Sequence, residues 1–92
     1  MIRTFKHAGL KQYFETGKPK GIPTEMAKRI QIRLNVLNRA KELRDLNLPG
    51  LDFHPLKGDR KGEYALTVTA NYRFTFRFEN GDVLDLNLED YH

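Results

Sequence analysis

The chain contains no cysteine, which removes disulfides and thiolate chemistry. Its three histidines are scattered rather than spaced as zinc ligands, so no metal and no other cofactor is expected. No apolar run approaches the ~20 residues that a membrane span requires. No charged-then-apolar leader opens the sequence, and a cytoplasmic location is expected. Repeats, low-complexity segments and linkers are absent too. Ninety-two residues, 39% hydrophobic and 30% charged, are enough for one small core but not for two, so residues 1–92 are expected to form a single domain. Acidic residues are scarce in one part only. Residues 1–61 hold fourteen Lys/Arg against six Asp/Glu, whereas residues 62–92 hold two against six. The excess positive charge therefore precedes the last third of the chain. It is the electrostatic footprint of nucleic-acid binding, and equally that of a well-solvated basic protein.

The last stretch, YRFTFRFENGDVLDLNLEDYH from Tyr72 to His92, alternates apolar and polar residues on both sides of a turn, as a half-buried antiparallel hairpin does. A two-residue turn at Asn80-Gly81 would place Asp85 opposite Phe76 on the apolar face. A three-residue loop, Asn80-Gly81-Asp82, instead sets Phe78 opposite Leu84, Phe76 opposite Leu86 and Phe74 opposite Leu88, and it pairs Arg77 with Asp85 and Arg73 with Glu89. Opposite charges directly across two strands contribute roughly 0.2–1 kcal/mol each, so the second register is expected. It brings Arg73 beside the strand end that carries Asp90, Tyr91 and His92.

Upstream, Met1 to Phe5 reads as a short strand. Leu10, Tyr13 and Phe14 at helical spacing predict a helix from His7 to Thr16, stopped by Gly17. Pro19, Gly21 and Pro23 mark a loop. Thr24 is the expected N-cap of a second helix, whose buried stripe is Met26, Ile30, Leu34 and Leu37. Its outer face carries Lys28, Arg29, Arg33, Arg39 and Lys41 with few compensating acids; such a face is either a solvated surface or a polyanion-binding one. Residues 51–62 read as an irregular basic segment, and Glu63 to Thr69 as a strand with Tyr64, Leu66 and Val68 on one face. The expected fold is α+β, two N-terminal helices packed on one face of a small curved, mainly antiparallel sheet.

Reactive side chains collect in two places: His54 with Lys57, Arg60 and Lys61, and Asp90-Tyr91-His92 with Arg73 nearby. Each residue alone has an ordinary explanation as a loop or edge position. Jointly, two histidines, a tyrosine, a carboxylate and several cations suit cleavage of RNA by its own 2′-hydroxyl. That reaction needs a base, an acid and cations for the charge growing on phosphate.

Over its whole length the chain resembles the HigB type of toxin in the RelE/ParE superfamily, the plasmid maintenance system killer proteins. The match is carried by the opening MIRTFKHAGLKQYFETG, the segment FHPLKGDRKG, the core ALTVTANYRFTFRF, the turn ENGD and the terminus LNLEDYH. The resemblance implies a RelE-like fold and a ribosome-dependent endoribonuclease that cuts messenger RNA in the aminoacyl site. A HigA-like helix-turn-helix antitoxin would neutralise it. It places the active site at His54, Asp90, Tyr91 and His92, with Arg73 and Lys57 as supporting cations. His54 and His92 would transfer protons, either one being the base. Tyr91 would stack on or bond to the target nucleotide, Asp90 would orient a histidine, and Arg73 with Lys57 would hold the scissile phosphate. Lys28, Arg29, Arg33, Arg60 and Lys61 fit contacts to RNA phosphates. One departure stands out: relatives commonly place a basic residue on the strand where this chain has Thr67 and Thr69, so that contact comes from elsewhere or turnover is weaker. A gyrase-poisoning toxin of the ParE branch and a non-catalytic RNA-binding protein are the competing readings. The combination of His54, Tyr91 and His92 argues against the first.

Overall fold

The computed structural model describes residues 1–91. Helix α1 (Ala8–Thr16) begins at His7, whose Nδ1 accepts the Leu10 N–H at 3.1 Å. Burial pushes that imidazole below its ordinary range, which suits a nitrogen that must keep its lone pair. The helix stops at Gly17, in the left-handed region at φ 76°, as the sequence predicts. Helix α2 (Ala27–Arg39) buries Ile30, Leu34 and Leu37, with Met26 just ahead of it, which is the predicted stripe. Its entry differs. Thr24 does not cap it, because Thr24–Met26 forms a turn of 3₁₀ helix entered from an extended Pro23 without a side-chain cap bond. Helix α1 lies hard against the loop between the helices: a Cβ on Gly9 would stand 2.4 Å from the Gly21 carbonyl oxygen. Gly9→Ala is therefore expected to cost about 1–3 kcal/mol, seen as a lower midpoint in urea denaturation.

Four strands follow, β1 (His54–Pro55), β2 (Glu63–Thr67), β3 (Tyr72–Glu79) and β4 (Asp82–Asp90), in the spatial order β1-β2-β3-β4 with every pair antiparallel. β1 falls within residues 51–62, which read as irregular in the sequence, because it is only two residues long and contains a proline, a residue that strands tolerate at their edges. One face of the sheet packs Leu66, Phe74, Phe76, Val83 and Leu86 against Leu10, Ile30, Leu34 and Leu37. The α+β arrangement with both helices on one face is thus the observed one.

The hairpin register is a compound of the two that the sequence allows. From Tyr72↔Asp90 through Arg73↔Glu89 and Phe74↔Leu88 to Thr75↔Asn87 it is the expected one. Nearer the turn, Arg77 faces Leu84, Phe78 faces Val83 and Glu79 faces Asp82, around a two-residue turn at Asn80-Gly81. A bulge reconciles them. Asp85 takes φ 56° and adds one residue to β4 opposite Phe76, so Val83 and Leu86 both turn to the core and no charge enters it. The expected Arg77–Asp85 pair does not form; Arg77 Nη2 bonds Glu79 at 2.5 Å instead. The bulge is held from outside, where the Asp85 N–H donates to Thr4 Oγ1 at 2.7 Å. Residues 1–6 run beside β4 through two parallel bridges, Ile2↔Val83 and Phe5↔Leu86. The extra residue between those bridges interrupts the ladder, which is why this segment is not the continuous strand that its sequence predicts.

Candidate active site

Directly paired residues project from the same side of a sheet. The register therefore places His54, Ala65, Thr75 and Asn87 in one row and Thr67, Arg73 and Glu89 in the next, all on the face away from the helices. His54 is fixed from three directions. Leu51 O accepts the Thr67 N–H and Leu56 N–H donates to Glu63 O, both at 2.8 Å, so the segment is tied to β2 at each end. Between them Phe53 stacks on Tyr64 at 5.5 Å and on Phe76 at 6.5 Å between ring centres, which anchors the residue preceding His54 in the core. Finally, the His54 Nδ1 lies 2.7 Å from the Asp52 carbonyl oxygen. A carbonyl oxygen can only accept, so Nδ1 carries the proton and Nε2 of the neutral ring is left as the acceptor. The tautomer is thus set by the backbone of Asp52, a residue in the left-handed region at φ 47°.

On the same face, Arg60, Glu63, Arg73, Thr75 and Glu89 form one network. Arg60 donates from Nη1 and Nη2 to the two oxygens of Glu89 at 2.9 and 2.6 Å, and from Nε and Nη2 to Glu63 at 3.2 and 2.9 Å. Arg73 Nη2 and Thr75 Oγ1 also donate to Glu89, at 3.2 and 2.9 Å. The Arg60 bond is the main cause that holds the Glu89 carboxyl at about 2, against an opposing push from burial and with help from Thr75 and Arg73. Glu63 is likewise lowered by Arg60, and Arg60 is raised by both carboxylates. Since the folded-state value of Glu89 lies below the ordinary 4.5, its charge stabilises the fold above about pH 5, and that stabilisation is lost as the pH falls towards 2. Thermal melts at descending pH are expected to show Tm dropping across this window, and dropping less steeply in Glu89→Gln.

Arg73 carries the network to the chain's end. Its Cζ stands 4.8 Å from the centre of the Tyr91 ring, a cation–π contact. The Tyr91 N–H is secured to Asn71 O at 2.9 Å, and the residue is 40% exposed, so a ring face or edge remains available to a ligand. Asp90 pairs with Tyr72 in the register. His92 lies outside the described residues.

The predicted cations divide into two groups. Lys57 and Lys61 are exposed around the 3₁₀ turn Gly58–Arg60, and both line an open cleft of about 480 Å³ with Pro55, Leu56, Glu63 and Tyr64. Lys28 and Arg29 are exposed on α2. Arg60 is engaged by two carboxylates, as described, and Arg33 donates from Nε to Thr67 O at 2.7 Å and from Nη1 to Arg29 O at 3.2 Å. A guanidinium therefore does stand at the strand where the sequence shows threonine, although it comes from α2. Thr69 Oγ1 accepts the N–H groups of Asn71 and Tyr72 at 3.3 and 3.2 Å, the role of a turn residue. Sequence reasoning missed the Asp52 carbonyl, Thr75 and the central place of Glu89. The cross-strand pairing of Glu89 with Arg73 was the only available signal.

The model of the HigB-like toxin family, described as the RelE-like toxin of type II toxin-antitoxin system HigB, matches residues 3–92. "Endoribonuclease HigB" of Proteus vulgaris is 50% identical over 92 residues, all of both chains. "Toxin HigB-1" of Vibrio cholerae serotype O1 is 31% identical over 91 residues, covering 97% of this chain and 96% of its own. Among solved structures, the YoeB/ParE toxin from Agrobacterium tumefaciens has a TM-score of 0.60 at 19% identity, covering 100% of this chain and 99% of that one. The heterotetrameric YoeB-YefM toxin-antitoxin complex from Staphylococcus aureus gives 0.63 at 15%, covering 100% and 98%. These two likenesses establish the fold.

Proposed function

This chain belongs to the HigB-like family of RelE-like toxins of type II toxin-antitoxin systems, and from that membership we propose that it is an endoribonuclease cutting messenger RNA in the aminoacyl site of the translating ribosome. The observation that carries the reading is one sheet face, turned away from the helices, holding both a histidine of fixed tautomer, His54, and a guanidinium, Arg73, seated on the exposed ring of Tyr91. His54 takes the proton of the 2′-hydroxyl at Nε2. The 2′-oxygen then attacks phosphorus, and the bond from phosphorus to the 5′-oxygen breaks as an acid protonates that oxygen. His92 is that acid, oriented by Asp90. Arg73 and Lys57 hold the phosphate and offset its growing charge, and Tyr91 receives the base.

Lys61, Lys28 and Arg29, all exposed, meet ribosomal and messenger phosphates, contacts that position without reading sequence. Arg33 adds positive charge from within the fold, whereas the charge of Arg60 is balanced by Glu63 and Glu89. A HigA-like helix-turn-helix antitoxin is the neutralising partner; the YoeB-YefM complexes among proteins of this fold support an antitoxin partner, without bearing on its type. The site of action is the bacterial cytoplasm; among the described residues no helix is long and apolar enough to cross a membrane. The chemistry is tested at the fragment ends. Attack by the 2′-hydroxyl leaves a 2′,3′-cyclic phosphate and a 5′-hydroxyl, whereas 3′-hydroxyl and 5′-phosphate ends would overturn the assignment of roles.

A further inference from the structure

Glu89 sits between the two clusters without belonging to either set of reactive groups. Its Oε2 accepts from Arg60 Nη2 at 2.6 Å and from Thr75 Oγ1 at 2.9 Å, and its Oε1 from Arg60 Nη1 at 2.9 Å and Arg73 Nη2 at 3.2 Å. Thr75 is only 2% exposed, so this hydroxyl pins one oxygen from inside the sheet while the bidentate Arg60 pins both from above. A carboxylate held in this way cannot turn, and its third donor residue is Arg73, whose guanidinium lies on Tyr91.

We infer that Glu89 is a positioning residue, which fixes the guanidinium of Arg73, and through it the ring of Tyr91, where the scissile phosphate and its base are to be held. The inference rests on the ribonuclease reading above. A carboxylate already occupied by two arginines is not a proton carrier, and its negative charge opposes rather than attracts phosphate. Removing that charge therefore leaves the face more positive and less ordered. Capture of RNA is maintained while alignment is lost, and that pairing of effects separates positioning from a general weakening of the fold.

Steady-state cutting of ribosome-bound message is to be measured for wild type, Glu89→Gln, Arg73→Ala and the double variant, each normalised to the folded fraction by circular dichroism. Glu89→Gln is expected to lower kcat by roughly tenfold to hundredfold, the scale of an ångström-sized misplacement, with KM unchanged or lower. Added to Arg73→Ala it should have no further effect, because it acts through that residue. A wild type that does not cut would overturn the ribonuclease reading and this inference with it. An active wild type with an unchanged Glu89→Gln, a KM that rises as kcat falls, or effects that multiply in the double variant would overturn the positioning role alone. Should Glu89→Gln fail to fold, Thr75→Val removes one donor to the same carboxylate and leaves both arginines. A lower kcat at constant KM is expected there too, and an unchanged kcat would overturn the inference.

Discussion

Replacing His54 by glutamine is expected to lower cutting of ribosome-bound message by about 10²–10⁴-fold, the range for loss of a positioned acid or base, while sedimentation with ribosomes stays the same. Glutamine fills similar space and can still donate to the Asp52 carbonyl that now receives Nδ1, but it cannot take up a proton at neutral pH. The ties that shape the segment do not involve the imidazole: Phe53 stacks on Tyr64 and Phe76, and the backbones of Leu51 and Leu56 bond to β2. In the proposed reading, affinity for the ribosome comes from Lys28, Arg29, Lys57 and Lys61, which this substitution leaves untouched. Cutting reduced in proportion to binding would mean that His54 serves attachment, and full cutting would remove it from the mechanism.

Phe76→Ala is expected to cost about 3–5 kcal/mol, the usual penalty for truncating a buried aromatic ring, and to lower Tm by more than ~10 °C in a chain of this size. Phe76 is completely buried, faces the bulge in β4, and is the ring on which both Phe53 and Tyr64 lean. Its loss therefore reaches the site as well as the core, since Phe53 precedes His54. Differential scanning calorimetry checks the stability, and cutting at a temperature where the variant is still folded checks the site. Phe76→Leu, which keeps most of the apolar volume, should recover the greater part of both. A Tm within a few degrees of wild type would contradict this account of the core.

The parts of this structure that were legible in the sequence are those whose causes are local or strictly periodic. The stripe of α2 and the Gly17 stop follow from spacing and from the conformational freedom of one residue. The Arg73–Glu89 pair follows from counting along two strands. The same counting failed nearer the turn, because alternation records which residues are apolar but not where a strand gains one. With Val83 and Leu84 adjacent and both apolar, either could face the core, and the choice was made by Thr4, eighty-one positions from Asp85. Arg60 illustrates the same limit. Its cation was visible, but Arg60 sits in an irregular segment with no period to count, so nothing in the spacing pointed to its partner Glu89, twenty-nine positions on. The Asp52 carbonyl that sets the His54 tautomer left no trace at all, since every residue has one.

The central claim is cutting of message on the ribosome. Its most direct test is to map RNA ends after adding the purified protein to a translating extract, with the same message free of ribosomes as the control. The account predicts cuts in frame with codons, present only with ribosomes and absent for His54→Gln. Equal cutting of free message would contradict ribosome dependence, and no cutting in either sample would contradict the nuclease itself and direct attention to gyrase.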